Sequence, residues 1–424
     1  MQSIRTNNCY CFQPFSYKII ANNKNKQHYQ SLKMTTFEPL GSNPKIAFGF
    51  CQPMCDVRLT KNQTDDKKSS IGKRALQIGA LSLVVLPAKG LLSVGLTDEL
   101  PSKVDTVIAS KELVVATVAD DSTLFREGEL VHGFGYDVAK RYAQHLGVTL
   151  HLQSYDDQQS MIEALANGDV DMVLGSNLQA DTTLSNPIAC DGATKDKLQE
   201  HGLDTEIGFT FLANDKSLID HSQNFLCSQE TLAQSRAVAR FYDQTLLKNA
   251  YSQRHFEKAL TQKLPMYEHA FKQGASKYNH DWQVLAVVSY QESHLNPDAI
   301  SPTGVQGLMM LTNETAKEMG VTDRTDALQS IQGGAKYLEV VDKQFLDIPK
   351  DERLWFVLAA YNMGPNAVKR IQNELNTQGK DGNSWSEVYT YLTTNADKNS
   401  RYVQCMHYVS NIRTYLETIK TMQA

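Results

Sequence analysis

The chain has 424 residues, which at roughly 150 residues per domain suggests about three domains. Apolar residues make up 41% and charged residues 21%, with a net charge of −5. That is enough for packed cores, too little for a polytopic membrane protein, and lacks the basic surplus of a nucleic-acid binder. Glycine (24) and proline (12) are too sparse for a fibrous or wholly disordered chain. Seven cysteines with no CxxC pair argue against a disulfide scaffold and against a zinc or redox site, and nothing in the sequence calls for a metal or a cofactor.

Residues 1–73 are rich in Asn, Gln, Lys and Ser and show no sustained period of 2 or 3.6, so a disordered or mis-annotated extension is expected, with Met54 as an alternative start. Cys9, Cys11, Cys51 and Cys55 lie here without an accompanying histidine pattern. Lys67, Lys68, Lys73 and Arg74 then precede Ala75–Ala88 (ALQIGALSLVVLPA). This apolar run is short for a ~30 Å hydrocarbon core. Its basic flank gives residues 74–98 the layout of a signal peptide or a retained membrane anchor, with a buried helix as the alternative.

Residues 108–250 read as α/β. Leu113–Val118 (LVVATV) predicts a buried strand, and Tyr136–Leu146 a helix closed by Gly147. Val148–Leu152 predicts a second strand, Gln158–Ala166 a helix stopped by Asn167-Gly168, and Val170–Leu174 a third strand. Strand–helix–strand–helix–strand implies parallel pairing with crossover helices. ELVVAT, GFGYDVAKRYAQHLGVTL and MIEALANGDVDMVLGSNL resemble lobe one of the periplasmic solute-binding proteins of the amino-acid-binding type. The resemblance implies an Arg after the third strand that clamps a ligand carboxylate, but no Arg stands between Ser176 and Cys190. Only a weak strand (Ile207–Ala213) follows, so the second lobe is read as reduced. The domain is then structural or regulatory, or else it binds a muropeptide or another small ligand. Cys190 and Cys227 are candidates for a disulfide in an oxidising compartment.

Residues 256–424 read as helical. Trp282–Glu292 (WQVLAVVSYQE) is a mostly apolar helix that delivers a carboxylate at its C-terminal end. The helix dipole and burial both disfavour the ionised form there, which suits a general acid. After Glu292-Ser293-His294-Leu295-Asn296-Pro297 come Ser301-Pro302-Thr303-Gly304-Val305-Gln306-Gly307-Leu308-Met309-Met310, and later Ala360-Tyr361-Asn362-Met363-Gly364.

These three motifs in this order resemble the lysozyme-like domain of the soluble lytic transglycosylases. The Met309-Met310-Leu311-Thr312, Asp323–Ala327 and Ser330–Tyr337 stretches are most similar to the membrane-bound lytic murein transglycosylase F family, which joins a solute-binding-type domain to such a catalytic domain. The fold class expected is therefore α+β multidomain: a periplasmic-binding-protein-like α/β domain, then a mainly α lysozyme-like domain. The resemblance implies an exported lyase that acts on peptidoglycan glycan strands, periplasmic and peripheral at the outer membrane, with no nucleic-acid partner. It implies Glu292 as the single acid and base, cleaving the β-1,4 bond from N-acetylmuramic acid to N-acetylglucosamine with a 1,6-anhydro end.

Substrate contacts fall by the same resemblance to Ser301, Thr303, Met309, Met310, Tyr361, Asn362 and Tyr408, with the Tyr361 hydroxyl on Glu292 and both methionines along the sugar groove. Asp298 reads as a loop cap. The late Y-V motif at Tyr408-Val409 has Gln404 where the family has Glu. The alternatives are a muramidase on the same fold, which adds water, and a non-catalytic wall-sensing or solute-binding protein.

Overall fold

The computed structural model describes residues 101–119, 122–175, 178, 182–187 and 192–423, and these fall in one compact unit. The expected extension, the signal or anchor segment and Cys190 lie outside the described residues. Cys227 is disulfide-bonded. No helix among the described residues is long and apolar enough to cross a membrane.

The first part is α/β. In chain order it contains α1 (Lys103–Ser110), β1 (Glu112–Thr117), β2 (Phe125–Glu127), β3 (Leu130–His132), α2 (Phe134–Leu146), β4 (Thr149–Ser154), α3 (Gln158–Asn167) and β5 (Met172–Gly175). Then follow β6 (Leu184–Ser185), α4 (Gly192–Glu200), β7 (Gly208–Leu212), α5 (Lys216–Leu226) and α6 (Gln229–Phe241). The expected glycine stops are present: Gly147 and Gly168 close α2 and α3 in the left-handed conformation. β1 pairs in parallel with β4 and β5, as the crossover helices require.

The period-2 alternation of the strands divides two cores. Leu113 and Val115 of β1, Met172 and Leu174 of β5, and Phe209 and Phe211 of β7 point into the larger one. Ala116 and Val173 point the other way, onto Met161, Ala164 and Leu165 of α3.

The weak strand near Ile207 does not found a second lobe. It is β7, antiparallel to β5 in the same sheet, whose order is β4-β1-β5-β7-β6. The two-stranded ribbon β2–β3, whose three-residue strands are too short to show alternation, was not expected.

The second part is helical: α7 (Ala250–Lys258), α8 (Leu264–Tyr278), α9 (Trp282–Ser293), α10 (Asn313–Met319), α11 (Ala327–Asp342), α12 (Lys350–Met363), α13 (Pro365–Thr377), α14 (Trp385–Thr394) and α15 (Ser400–Gln423). A π turn, Ala259–Lys263, joins α7 to α8. α9 is apolar on every side, and residues 283–290 are all buried, as such a helix must be. It packs on α8 and α15.

The larger core runs without a break from β1 to α15, so the two parts share one interior. Charge ties the same seam. Lys140 Nζ lies 2.5 Å from Asp351 and 2.6 Å from Glu352, and Glu352 also accepts the Trp385 N–H. Arg413, with 0% of its surface exposed, donates to the carbonyls of Phe241 (2.9 Å) and Asp243 (2.7 Å) and to both Glu417 oxygens (2.6 Å). Glu352 and Arg413 are buried, Lys140, Asp351 and Glu417 are half-buried, and each is paired, the condition under which buried charge is tolerated.

Candidate active site

Glu292 sits one residue before the end of α9, whose N-terminus is capped by Asp281 and whose chain leaves through His294 and Leu295, both at φ 54°. Lys263, delivered by the π turn, donates to the His294 carbonyl at 2.7 Å. Glu292 is half-buried, and Tyr408 of α15 donates to its Oε1 at 2.7 Å. Burial pushes the carboxyl up to about 7, and the Tyr408 hydrogen bond opposes that rise by favouring the charged form. Burial beside Glu292 raises both Tyr361 and Tyr408 well above the ordinary phenol range, so both hydroxyls stay protonated as donors.

The loop between α9 and α10 is folded on itself. Ile300, Gln306 and Leu311 form antiparallel bridges, and Gly307 (φ 86°) and Met310 (φ 45°) take left-handed backbone. Such a turn leaves backbone polar groups that regular structure does not satisfy, and side chains from three helices satisfy them here. Ser289 and Ser293, one turn apart on α9, both reach the Leu308 carbonyl, at 3.1 and 2.9 Å. Tyr361 donates to the Met309 carbonyl at 2.9 Å, and Ser330 of α11 accepts the Met309 N–H at 3.1 Å. Arg324 donates to the carbonyls of Gly304 (2.8 Å) and Leu311 (2.9 Å). The acid-bearing helix and the loop are thus fastened to each other.

Several expectations change. Tyr361 does not hydrogen-bond Glu292; its hydroxyl is taken by the Met309 carbonyl, and Tyr408 supplies the donor to the acid. The Met309 side chain does not line a groove. It is 0% exposed and fills the hollow left by Gly334, where a Cβ would stand 2.6 Å from Met309 Cγ. Met310 is 4% exposed.

Ser301 is buried, and its hydroxyl accepts the Val305 N–H at 3.1 Å and meets the exposed Thr303 hydroxyl at 3.0 Å. It holds the loop in shape from within. Asn362 is half-buried near the end of α12. At the corner read as capped by Asp298, the side chain seen to cap is Asn296, whose Oδ1 accepts the Asp298 N–H at 3.2 Å. Gln404 lies one turn before Tyr408 on the same face of α15. Sequence reasoning gave no role to Ser289, Ser330 and Arg324, although Arg324 and Ser330 lie in the Asp323–Ala327 and Ser330–Tyr337 stretches that carry the resemblance.

A family model described as Transglycosylase SLT domain matches residues 269–383, the stretch that holds Glu292, the clamped loop and Tyr361. The chain is 38% identical over 216 residues to the membrane-bound lytic murein transglycosylase F of Stutzerimonas stutzeri (strain A1501), which spans 48% of this chain and 44% of that one. It is 29% identical over 408 residues to the protein of the same name from Shewanella loihica (strain ATCC BAA-1088 / PV-4), which spans 73% of this chain and 85% of that one. The chain is thus similar to the membrane-bound lytic murein transglycosylase F proteins and carries a Transglycosylase SLT domain over residues 269–383. It spans less than half the length of the first relatives it matches, 44% and 46%.

Among solved structures, the arginine-bound form of domain 1 from TmArgBP aligns at 20% identity with a TM-score of 0.23, covering 29% of this chain and 96% of that one. The soluble lytic transglycosylase SLT70 of Escherichia coli aligns at 17% identity with a TM-score of 0.33, covering 62% and 41%.

Proposed function

We propose that this chain is a peptidoglycan lytic transglycosylase in which Glu292 serves first as acid and then as base. The observation that carries this reading is a carboxyl held at about 7 by burial, with a single neutral phenol on one of its oxygens. With Oε1 occupied by Tyr408, Oε2 carries the proton to the glycosidic oxygen that joins N-acetylmuramic acid to N-acetylglucosamine. The C1–O bond breaks and the N-acetylglucosamine side leaves as the alcohol. The Glu292 carboxylate then takes the proton of the muramic C6 hydroxyl as that oxygen bonds to C1, closing the 1,6-anhydro ring and returning the acid to its starting state. No water enters.

Hydrolytic glycosidases pair two carboxylates across the bond. Among the described residues no second carboxylate contributes to the shift of Glu292, which favours the internal nucleophile over the muramidase reading. Ser301, Thr303, Met310, Asn362 and Tyr408 remain the proposed contacts to the glycan, Tyr361 and Met309 acting through the loop they shape. The proposed site of action is the periplasm, at the outer membrane; the relatives' names support membrane association.

Mass spectrometry of digested sacculi tests the reading. Muropeptides ending in anhydro-muramic acid, one water lighter than hydrolysis products, are expected; reducing ends alone would make the enzyme a muramidase.

A second expectation concerns Tyr408. Its hydrogen bond favours the carboxylate, so Tyr408→Phe raises the Glu292 pKa further. Activity that requires the protonated acid falls as pH rises through about 7 in the parent. In the variant that alkaline limb moves to higher pH, while maximal turnover drops by about tenfold because the acid loses its orienting partner. A pH–rate profile that stays in place would show that Tyr408 does not act on the acid.

A further inference from the structure

A pocket of about 410 Å³ opens between α8, the end of α10 and the start of α11. That volume is in the range of small-molecule sites. Tyr278 stands where α8 turns toward α9, whereas Glu292 lies at the far end of α9, about 15 Å along that axis at ~1.5 Å per residue. The pocket shares no residue with the cluster around Glu292 or with the loop fastened to it.

Three of its polar side chains keep hydrogen-bonding capacity that the fold does not use. Lys277, exposed in the last turn of α8, has its ammonium over the Tyr278 ring at 5.2 Å. Among the described residues no carboxylate pairs with it, and no acid lines the pocket. Gln329 of α11 is fixed by its oxygen, which accepts the Thr322 N–H and hydroxyl at 3.0 and 2.9 Å and the Asp323 N–H at 3.2 Å. Its NH₂ group is thus the end left to donate. Gln332, half-buried and one turn on, has the opposite need. Its Oε1 is shut off from solvent and has no hydrogen-bond partner. A buried acceptor without a donor costs about 1–3 kcal/mol, and native structures hold few of them.

These needs are complementary to one chemical unit. Lys277 and the Gln329 amide suit a carboxylate, and the charged pair is the stronger of the two. The Gln332 oxygen, brought to the pocket by rotation of its side chain, suits an amide N–H. Met319, Val321 and Leu328, the last 50% exposed, add an apolar wall. A carboxylate, an amide N–H and an apolar side chain together make the C-terminal end of a peptide. Phosphate would leave Gln332 and the apolar wall unused.

We propose that this pocket binds the carboxylate end of a short acylated peptide, with Lys277 as counter-charge, Gln329 as second donor and Gln332 accepting the peptide N–H. Peptidoglycan carries peptides of this class, and in the choice of probe alone the proposal rests on the function proposed above.

The test is calorimetric titration of the full chain at low salt with N-acetyl-D-alanyl-D-alanine, with its C-terminal amide and with inorganic phosphate. Saturable binding of the acid is expected, with the amide weaker by about tenfold or more and phosphate without heat. Lys277→Met, a change at an exposed side chain, weakens the acid by a similar factor, and Glu292→Gln leaves it unchanged. No binding of the acid at millimolar concentration overturns the proposal, and so does an amide or phosphate that binds as well as the acid, or a Lys277→Met variant that binds as the parent does. Loss of binding in Glu292→Gln would move the ligand to the catalytic cluster and overturn the assignment too. A chain that binds the acid through Lys277 yet releases only reducing ends from sacculi would correct the catalytic reading and leave this site standing.

Discussion

Glu292→Gln is expected to lower the rate of glycan cleavage by about 10²–10⁴-fold, the range set by losing a general acid, and toward the upper end because one group performs both proton transfers. The amide is nearly isosteric and keeps an oxygen for the Tyr408 hydroxyl, which now meets Oε1 at 2.7 Å, so glycan binding should survive. Stability should move the other way. The folded-state pKa of Glu292 is raised from 4.5 to about 7. The folded protein therefore binds the proton more tightly than the unfolded chain does. The stabilisation linked to that proton is complete below about 4.5 and is lost as pH rises to about 7. Above that the site holds a buried carboxylate at a cost, which the glutamine variant does not bear. Thermal unfolding should show Glu292→Gln melting above the parent at pH 8 and level with it at pH 4.5. Wall clearance by the variant at the parental rate, measured as loss of sacculus turbidity, would remove Glu292 from the chemistry.

Gly307→Ala is expected to destabilise the protein by about 3–5 kcal/mol, from left-handed backbone and overpacking together. Gly307 has φ 86°, and an added Cβ would stand 1.8 Å from the Arg324 carbonyl oxygen and 2.9 Å from Ser330 Oγ. Neither neighbour is free to retreat. Arg324 is tied through its guanidinium to Gly304 and Leu311, and Ser330 accepts the Met309 N–H. The same displacement opens the seat on which Ser289, Ser293 and Tyr361 fasten α9 and α12 to the loop. Activity should therefore fall even at temperatures where the variant remains folded. Denaturant unfolding gives the first quantity and sacculus digestion in the cold gives the second. A variant within about 1 kcal/mol of the parent would mean that the loop yields where it is here rigid. Gly304, with φ 82° and open space around its Cβ position, is the internal contrast: alanine there bears only the backbone strain, about 1–3 kcal/mol.

The parallel three-strand core was legible in the sequence, and so was the buried helix that ends at Glu292, for related reasons. β1 and β5 are short apolar runs between polar breaks, and α9 is apolar on most sides yet ends in a carboxylate, a combination that packing alone does not explain. What could not be read is which distant groups meet. Both tyrosines lie in motifs, and nothing local says that Tyr408 rather than Tyr361 turns to Glu292; the answer depends on a carbonyl at Met309 that exists only once Gly307 has bent the chain.

Met309 beside a glycine loop reads as a surface residue until Gly334, on another helix, opens a hole for it. The seam between the two parts was hidden for the same reason. Arg413 and Lys140 look like ordinary surface charges, but their partners Phe241, Asp243, Asp351 and Glu352 lie more than a hundred residues away. β7 was legible as a strand and misleading as a lobe, because alternation identifies a strand and not the sheet it joins.

The most direct measurement is the titration of the Glu292 carboxyl itself, followed by its ¹³C side-chain resonance in the full chain between pH 4 and 9 and assigned by its loss in Glu292→Gln. A midpoint near 7, moving higher in Tyr408→Phe, is the predicted result. A midpoint near the ordinary 4.5, unmoved by that substitution, would mean a solvated carboxylate with no proton to give at neutral pH, and would contradict the account.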